Sequence, residues 1–164
     1  MNRIFLLVGL IVATAIVGIV LFLNRGARVR LTGDIQKVRN HILDENATLV
    51  VADFRVTNPS SVPFVVRSVD VILERADGAA SEGSTISEID AKRVFEHAPE
   101  IGQRFNSSLI AREQIRPQET MDRMIAARFE LPLAKVENSQ TLRLRITDVD
   151  GAVSEIITSP RAPR

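Results

Sequence analysis

The 164-residue chain contains no cysteine, no tryptophan and no tyrosine, and only two histidines. Without cysteine, disulfide frameworks, thiolate zinc sites, thiol nucleophiles and lipoprotein-type anchors are excluded. With no tryptophan or tyrosine to stack on a ring, sugar binding is disfavoured. Only five phenylalanines follow residue 23 and no basic groove is evident, which argues equally against single-stranded nucleic acid. An excess of either charge is missing too. From Asn24 onward 20 basic residues face 20 acidic ones, so no strong net field attracts nucleic acid or an acidic substrate. Arginine outnumbers lysine 18 to 3, but these arginines are interleaved with acids and read as a genome-level bias, not a phosphate site. At 45% apolar residues the chain is too hydrophobic for disorder, and its length predicts one domain.

What the sequence does have is one long apolar run. Ile4 to Leu23 is free of charge, and fifteen of its twenty residues are Leu, Ile, Val or Phe. Twenty helical residues rise about 30 Å, the thickness of a bilayer's hydrocarbon core. The run exceeds a signal peptide's apolar core, and Leu21-Phe22-Leu23-Asn24-Arg25 lacks a small-x-small cleavage site. Residues 4–23 therefore predict an uncleaved transmembrane helix in a single-pass protein of the cell membrane, with the lipid bilayer as its first partner. Gly9 with Ala13, and Thr14 with Gly18, have a small-xxx-small spacing that permits close helix approach. Arg25, Arg28 and Arg30 outweigh Arg3 and the amino terminus, which favours a cytoplasmic domain. Soluble β-rich domains behind such anchors are often exported, so the two arguments leave the side open.

After the anchor, hydrophobicity alternates with period two. Val29, Leu31, Gly33 and Ile35 form one face of a first strand, and Val50, Ala52, Phe54 and Val56 one face of a second. Val65, Val69, Val71 and Leu73 share a parity in a third, with Arg67 as the exception. Ser107 to Ile115 is a weaker strand, followed by a turn at Arg116-Pro117-Gln118-Glu119. Met121, Arg123, Ile125, Ala127 and Phe129 alternate with Asp122, Met124, Ala126, Arg128 and Glu130. Leu142, Leu144 and Ile146 alternate with Arg143, Arg145 and Thr147; Asp150-Gly151 then reads as a two-residue hairpin turn into Val153 to Ile157. About seven short strands separated by turns predict an all-β fold over residues 28–158. Its expected form is an antiparallel immunoglobulin-like or fibronectin-like β-sandwich. Ala79 to Thr85, small and polar with Gly83 and two serines, reads as a loop, and residues 159–164 as a disordered tail. One short helix interrupts the strands. Ser87-Glu88-Ile89-Asp90 fits a capped start, Ala91, Val94, Phe95 and Ala98 fall on one face, and Pro99 and Gly102 close it. Covering an open end of the sandwich is its simplest role, and docking a partner its sharper one.

Chemistry-bearing motifs are few. His41 has Asp44 and Glu45 nearby, but a polar turn between the first two strands explains them better than a metal site, since zinc wants three or four nitrogen or sulfur ligands. His97 reads as a solvated helix residue. Gly78-Ala-Ala-Ser81-Glu-Gly83 has the wrong spacing for a nucleophile elbow, and no phosphate-binding glycine loop is present. Asp148-Val149-Asp150-Gly151 lacks calcium-loop spacing and fits a hairpin. Asn46 and Asn106 match the glycan-acceptor pattern. No catalytic residue, cofactor or metal site is expected. A small-ligand cavity would be sought near Met121, Met124 and Phe129.

The stretch Thr48 to Gly78 carries a strand ending in Asn58-Pro59, a turn marked by Pro63, a strand through Val65, Val69, Val71 and Leu73, and the turn Asp77-Gly78. Asn58 before a proline is biased to extended backbone, and Pro63 lacks the donor a central strand requires. In these features the segment resembles the type-2 late-embryogenesis-abundant family, which includes the water-stress and hypersensitive-response domain. Ser60 stands where members often carry Asn, and Val71 lies where they often carry Tyr. The resemblance implies a β-sandwich behind a membrane helix, associated with desiccation or other stress tolerance, with Asn58, Pro59 and Pro63 as a structural motif and no catalytic residues. The functional expectation is thus a membrane-anchored, non-enzymatic β-sandwich with a protective role. The alternative is an interaction or scaffold subunit of a membrane or envelope assembly, held by the helix face and an edge strand.

Overall fold

The structure is a computed structural model that describes residues 13–17, 30–75 and 77–158. Of the expected membrane span, residues 13–17 are helical and exposed. The rest of Ile4–Leu23 lies outside the described residues, as do Arg25, Arg28, Val29 and residues 159–164. Among the described residues no helix is long and apolar enough to cross a membrane.

Among the described residues eight strands form the body: β1 (Thr32–Asp44), β2 (Ala47–Thr57), β3 (Phe64–Arg75), β4 (Ala80–Thr85), β5 (Gln114–Ile115), β6 (Thr120–Phe129), β7 (Ser139–Asp148) and β8 (Val153–Ile157). Helices α1 (Glu88–His97) and α2 (Leu133–Glu137) and a 3₁₀ turn, Pro99–Ile101, join them. The strand pairings are antiparallel, in the order β1-β2-β6-β4-β3-β7-β8, with β5 beside the start of β3. The expected antiparallel all-β body is present, but it is one continuous curled sheet instead of two separate ones. The cause is β4. Its residues 80–83 pair with β3, and Ser84 and Thr85 then pair with β6. The two halves, β1-β2-β6 and β3-β7-β8, enclose a core as the layers of a β-sandwich do. The free edges approach each other where the Leu31 N–H donates to Ser154 Oγ at 2.8 Å.

The main core holds Val50, Ala52, Phe54 and Val56 of β2, Ile125, Ala127 and Phe129 of β6, and Leu142, Leu144 and Ile146 of β7. These are the parities that alternation assigns to the interior. The opposite faces of β2 and β6 are buried as well. Leu49, Val51, Met124 and Ala126 form a second cluster with Ala91 and Ala98 of the helix region and Ile101. The helix thus covers the outer face of the β2–β6 half, not an open end. It starts where Ser87-x-x-Asp90 places it: Ser87 Oγ accepts the Asp90 N–H at 3.1 Å.

Several sequence expectations are corrected. Val65 does not face the core; Phe64 and Val66 do, and a bulge at Arg67 resets the parity so that Val69, Val71 and Leu73 point inward. That bulge explains why Arg67 broke the pattern. Residues 80–85 are a strand, because Gly83 permits a contact that any side chain would obstruct: a Cβ there would lie 2.6 Å from the Phe129 ring. The Ser107–Ile115 strand shrinks to β5 and an isolated bridge between Ser108 and Met124. His41 belongs to β1, opposite Leu49, and not to a turn. The turn at Asp150-Gly151 forms, but residues 149–152 lie between the strands in place of a two-residue loop: the Gly151 N–H donates to the Asp148 carbonyl at 2.9 Å, and Gly151 takes φ 85°.

Candidate interaction surface

Arg39 of β1 projects from the outer face of the sheet beneath α1 and the segment that follows it. Its Nη2 donates to Asp53 Oδ2 at 2.5 Å, with the side chains only 8% and 5% exposed. Nη1 donates to the carbonyls of Ile101 and Gln103 at 3.2 and 2.8 Å. The second Asp53 oxygen accepts from Asn106 Nδ2 at 3.0 Å. One ion pair therefore ties two strands to residues 101–106. Register explains the location: Arg39 lies opposite Val51, and Lys37 opposite Asp53, so β1 and β2 present these side chains toward the helix side.

Two phenylalanines complete the arrangement. The Arg39 guanidinium carbon sits 5.0 Å from the Phe95 ring centre and 5.8 Å from that of Phe105. Lys37 Nζ lies 5.3 Å from Phe105. At these distances a cation is attracted to the ring's electron-rich face. Phe95 is partly buried against the helix cluster, whereas Phe105 is 59% exposed. Next to it runs a shallow groove of about 550 Å³ lined by Lys92, Phe95, Glu96 and residues 102–107.

Glu88 at the start of α1 pins the segment that lines the groove. Its carboxylate accepts the Ser108 N–H at 2.9 Å and a bond from the Arg104 guanidinium. Burial pushes the Glu88 carboxyl up, but the hydrogen bonds from Ser108 and the Arg104 charge outweigh it, leaving the group below the ordinary glutamate range. Together these groups offer a positioned aromatic face and fixed cations beside a concave rim.

The residues singled out in the sequence lie elsewhere. Asn58 is fully buried where β2 ends. Its Nδ2 donates to the carbonyls of Val62 (2.8 Å) and Ile115 (3.1 Å), and its Oδ1 accepts from Ser60 N (3.1 Å) and Ser60 Oγ (2.7 Å). Gln118 Nε2 donates to the Pro59 carbonyl at 2.7 Å, and exposed Pro63 precedes the first residue of β3. These three residues organise a turn about one end of the sandwich. His41 Nδ1 is 3.2 Å from Glu100 Oε1, while Asp44 accepts the Asn46 N–H. His97 Nδ1 lies 2.8 Å from the Arg93 carbonyl. Asp148 is buried and accepts the N–H groups of Val65 and Val149. Asn106 is spent on Asp53. Met124 and Phe129 are packed side chains. A space of about 110 Å³ occurs instead among Val38, Leu73, Val136 and Leu142 near the open seam, below the 300–1,000 Å³ range of ligand pockets. Sequence reasoning missed Arg39, Asp53 and Phe105. Asp53 in the middle of an apolar strand was the signal that could have found them.

No protein-family model matches the sequence, and no curated protein matches it significantly. Among solved structures the chain is similar to an uncharacterised β-sandwich protein from Clostridium difficile, at 12% identity over 80% of this chain and 81% of that one, with a TM-score of 0.33. It is also similar to the archaellum periplasmic stator protein FlaG from Sulfolobus acidocaldarius, at 14% identity over 77% of this chain and 98% of that one, with a TM-score of 0.37.

Proposed function

We propose that this chain is a non-enzymatic interaction module, tethered to a membrane by residues 4–23, whose helix-side face docks a protein partner. The observation that carries the reading is Phe105, exposed beside two cations and held by a segment that Arg39 and Asp53 clamp to the sheet. Partner-binding surfaces concentrate their energy in such pre-positioned aromatic and arginine groups. A photo-crosslinking residue placed at Phe105 in native membranes should yield one recurrent protein adduct. The same residue at Glu82, on the other half of the sheet, should not. Diffuse labelling at both positions would remove the docking reading.

A second reading, protection during desiccation or osmotic stress, rests on the resemblance of Thr48–Gly78 and on the Asn58-Pro59 turn between β2 and β3. Unchanged survival on drying after loss of the gene would count against it.

A further inference from the structure

Exposed arginines without carboxylate partners gather at one end of the sandwich. The turns at residues 58–63, 110–119 and 148–152 cluster together, linked by the Asn58 N–H to the Glu119 carbonyl (2.9 Å), the Arg112 N–H to the Val66 carbonyl (2.7 Å) and the Val149 N–H to the Val65 carbonyl (3.0 Å). Arg30, Arg67, Arg112 and Arg116 are at this end. All four are exposed, and among the described residues none has a carboxylate partner. The acids there are mostly turned inward or engaged. Arg123 holds Glu113 at 2.6 Å, Asp148 is buried on two backbone N–H groups, and Glu119 accepts the Arg116 N–H at 2.7 Å. Asp150 is left exposed.

Between the arginines stand exposed apolar tips: Val62 at 39%, Ile110 at 50% and Val149 at 49%. The far end is the reverse. Asp44, Glu45, Asp77, Glu130 and Glu137 outnumber Arg75, Arg128 and Lys135 there, and Arg75 and Arg128 are already occupied by carboxylates.

We infer that the arginine-bearing end docks on an anionic bilayer surface, holding the sandwich upright with its acidic end away from the membrane. The inference rests on the tether reading. Only residues 24–29 lie between the apolar run and Arg30, and at no more than about 3.6 Å per residue they keep this end within roughly 25 Å of the lipid. Exposed arginines draw anionic headgroups, and apolar tips enter the interface.

The test uses the full chain in nanodiscs of phosphatidylcholine and of a phosphatidylcholine–phosphatidylglycerol mixture, with amide exchange read at low and high salt. Exchange at residues 58–62, 110–116 and 149–151 should slow in the mixture alone, each arginine contributing roughly fivefold to occupancy of the docked state. High salt should abolish the effect. So should the combined change Arg67→Gln, Arg112→Gln and Arg116→Gln, with exchange at the buried residues 50–52 of β2 unaltered as the folding control. If discs retain the chain but protection ignores phosphatidylglycerol, the docking inference is overturned and the tether stands. Chain lost from phosphatidylcholine discs overturns the tether itself. Protection found in native membranes but not in the anionic discs would assign the arginines to an acidic protein and sink the lipid proposal.

Discussion

Arg39 and Asp53 are two nearly buried charges, and their burial is tolerated because each is hydrogen-bonded on several sides. Removing one partner leaves the other charge in an apolar setting, so Asp53→Ala should cost about 3–5 kcal/mol in urea unfolding. The double change Arg39→Met with Asp53→Leu should cost clearly less, because apolar groups of similar volume leave no orphaned charge. Equal losses in both variants would mean that packing, not charge, dominates. Glu88 has a pH signature. Its carboxyl is held below the ordinary value, so its contribution is fully present above the unfolded glutamate pKa and is lost as pH falls through the lowered one. Glu88→Gln should therefore lower stability by roughly 1 kcal/mol at neutral pH, after solvent screening, and the gap to the parent should close in acid. None of these partnerships could be read from spacing, since 14 residues separate Arg39 from Asp53 and 20 separate Glu88 from Ser108.

At the scale of elements, α1 was legible and β4 was not. The helix announces itself through Ser87, Asp90 and an apolar stripe whose members, Ala91, Val94, Phe95 and Ala98, all face the sheet. Ser87→Ala should cost about 1 kcal/mol, measurable as reduced thermal stability. Strand β4 has little alternation and contains a glycine, so its composition resembles a loop. Its reason lies in another strand: Gly83 leaves room for the Phe129 ring. Gly83→Ala should destabilise by about 1–3 kcal/mol through overpacking, and Phe129→Leu should restore part of the loss. The α2 turn was missed for a similar reason, being too short to show a period; only Val136 is buried in it. The β3 bulge shows the opposite case, where a broken pattern at Arg67 was itself the clue.

At the scale of the molecule, the curl of the sheet brings the start of β1 beside β8 without pairing the two strands: Gly33 lies against Ile156, and Leu31 just ahead of β1 meets Ser154. The Leu31 N–H to Ser154 Oγ bond marks the meeting point, and both residues are buried. Ser154→Ala would leave a buried donor without its acceptor, at about 1–3 kcal/mol. Faster amide exchange at Leu31 and along β8 should reveal it, with β2 and β6 unaffected. A uniform acceleration across the sheet would show that the seam has no separate stability.

What depends only on neighbours along the chain was legible before folding: the inward parity of β2, β6 and β7, the capped helix, the proline-marked turn at Asn58, and the turn at Gly151. Each follows from side-chain alternation or local dihedral preference, which act over a few residues. Tertiary structure alone decided that the halves form one curled sheet, that β2 and β6 are buried on both faces, and that Arg39, Asp53, Glu88 and Phe105 share a surface. Those outcomes depend on which distant segments meet. That is set by the total apolar area the fold can bury and by which buried charges find partners, and neither is a property of any short stretch of residues.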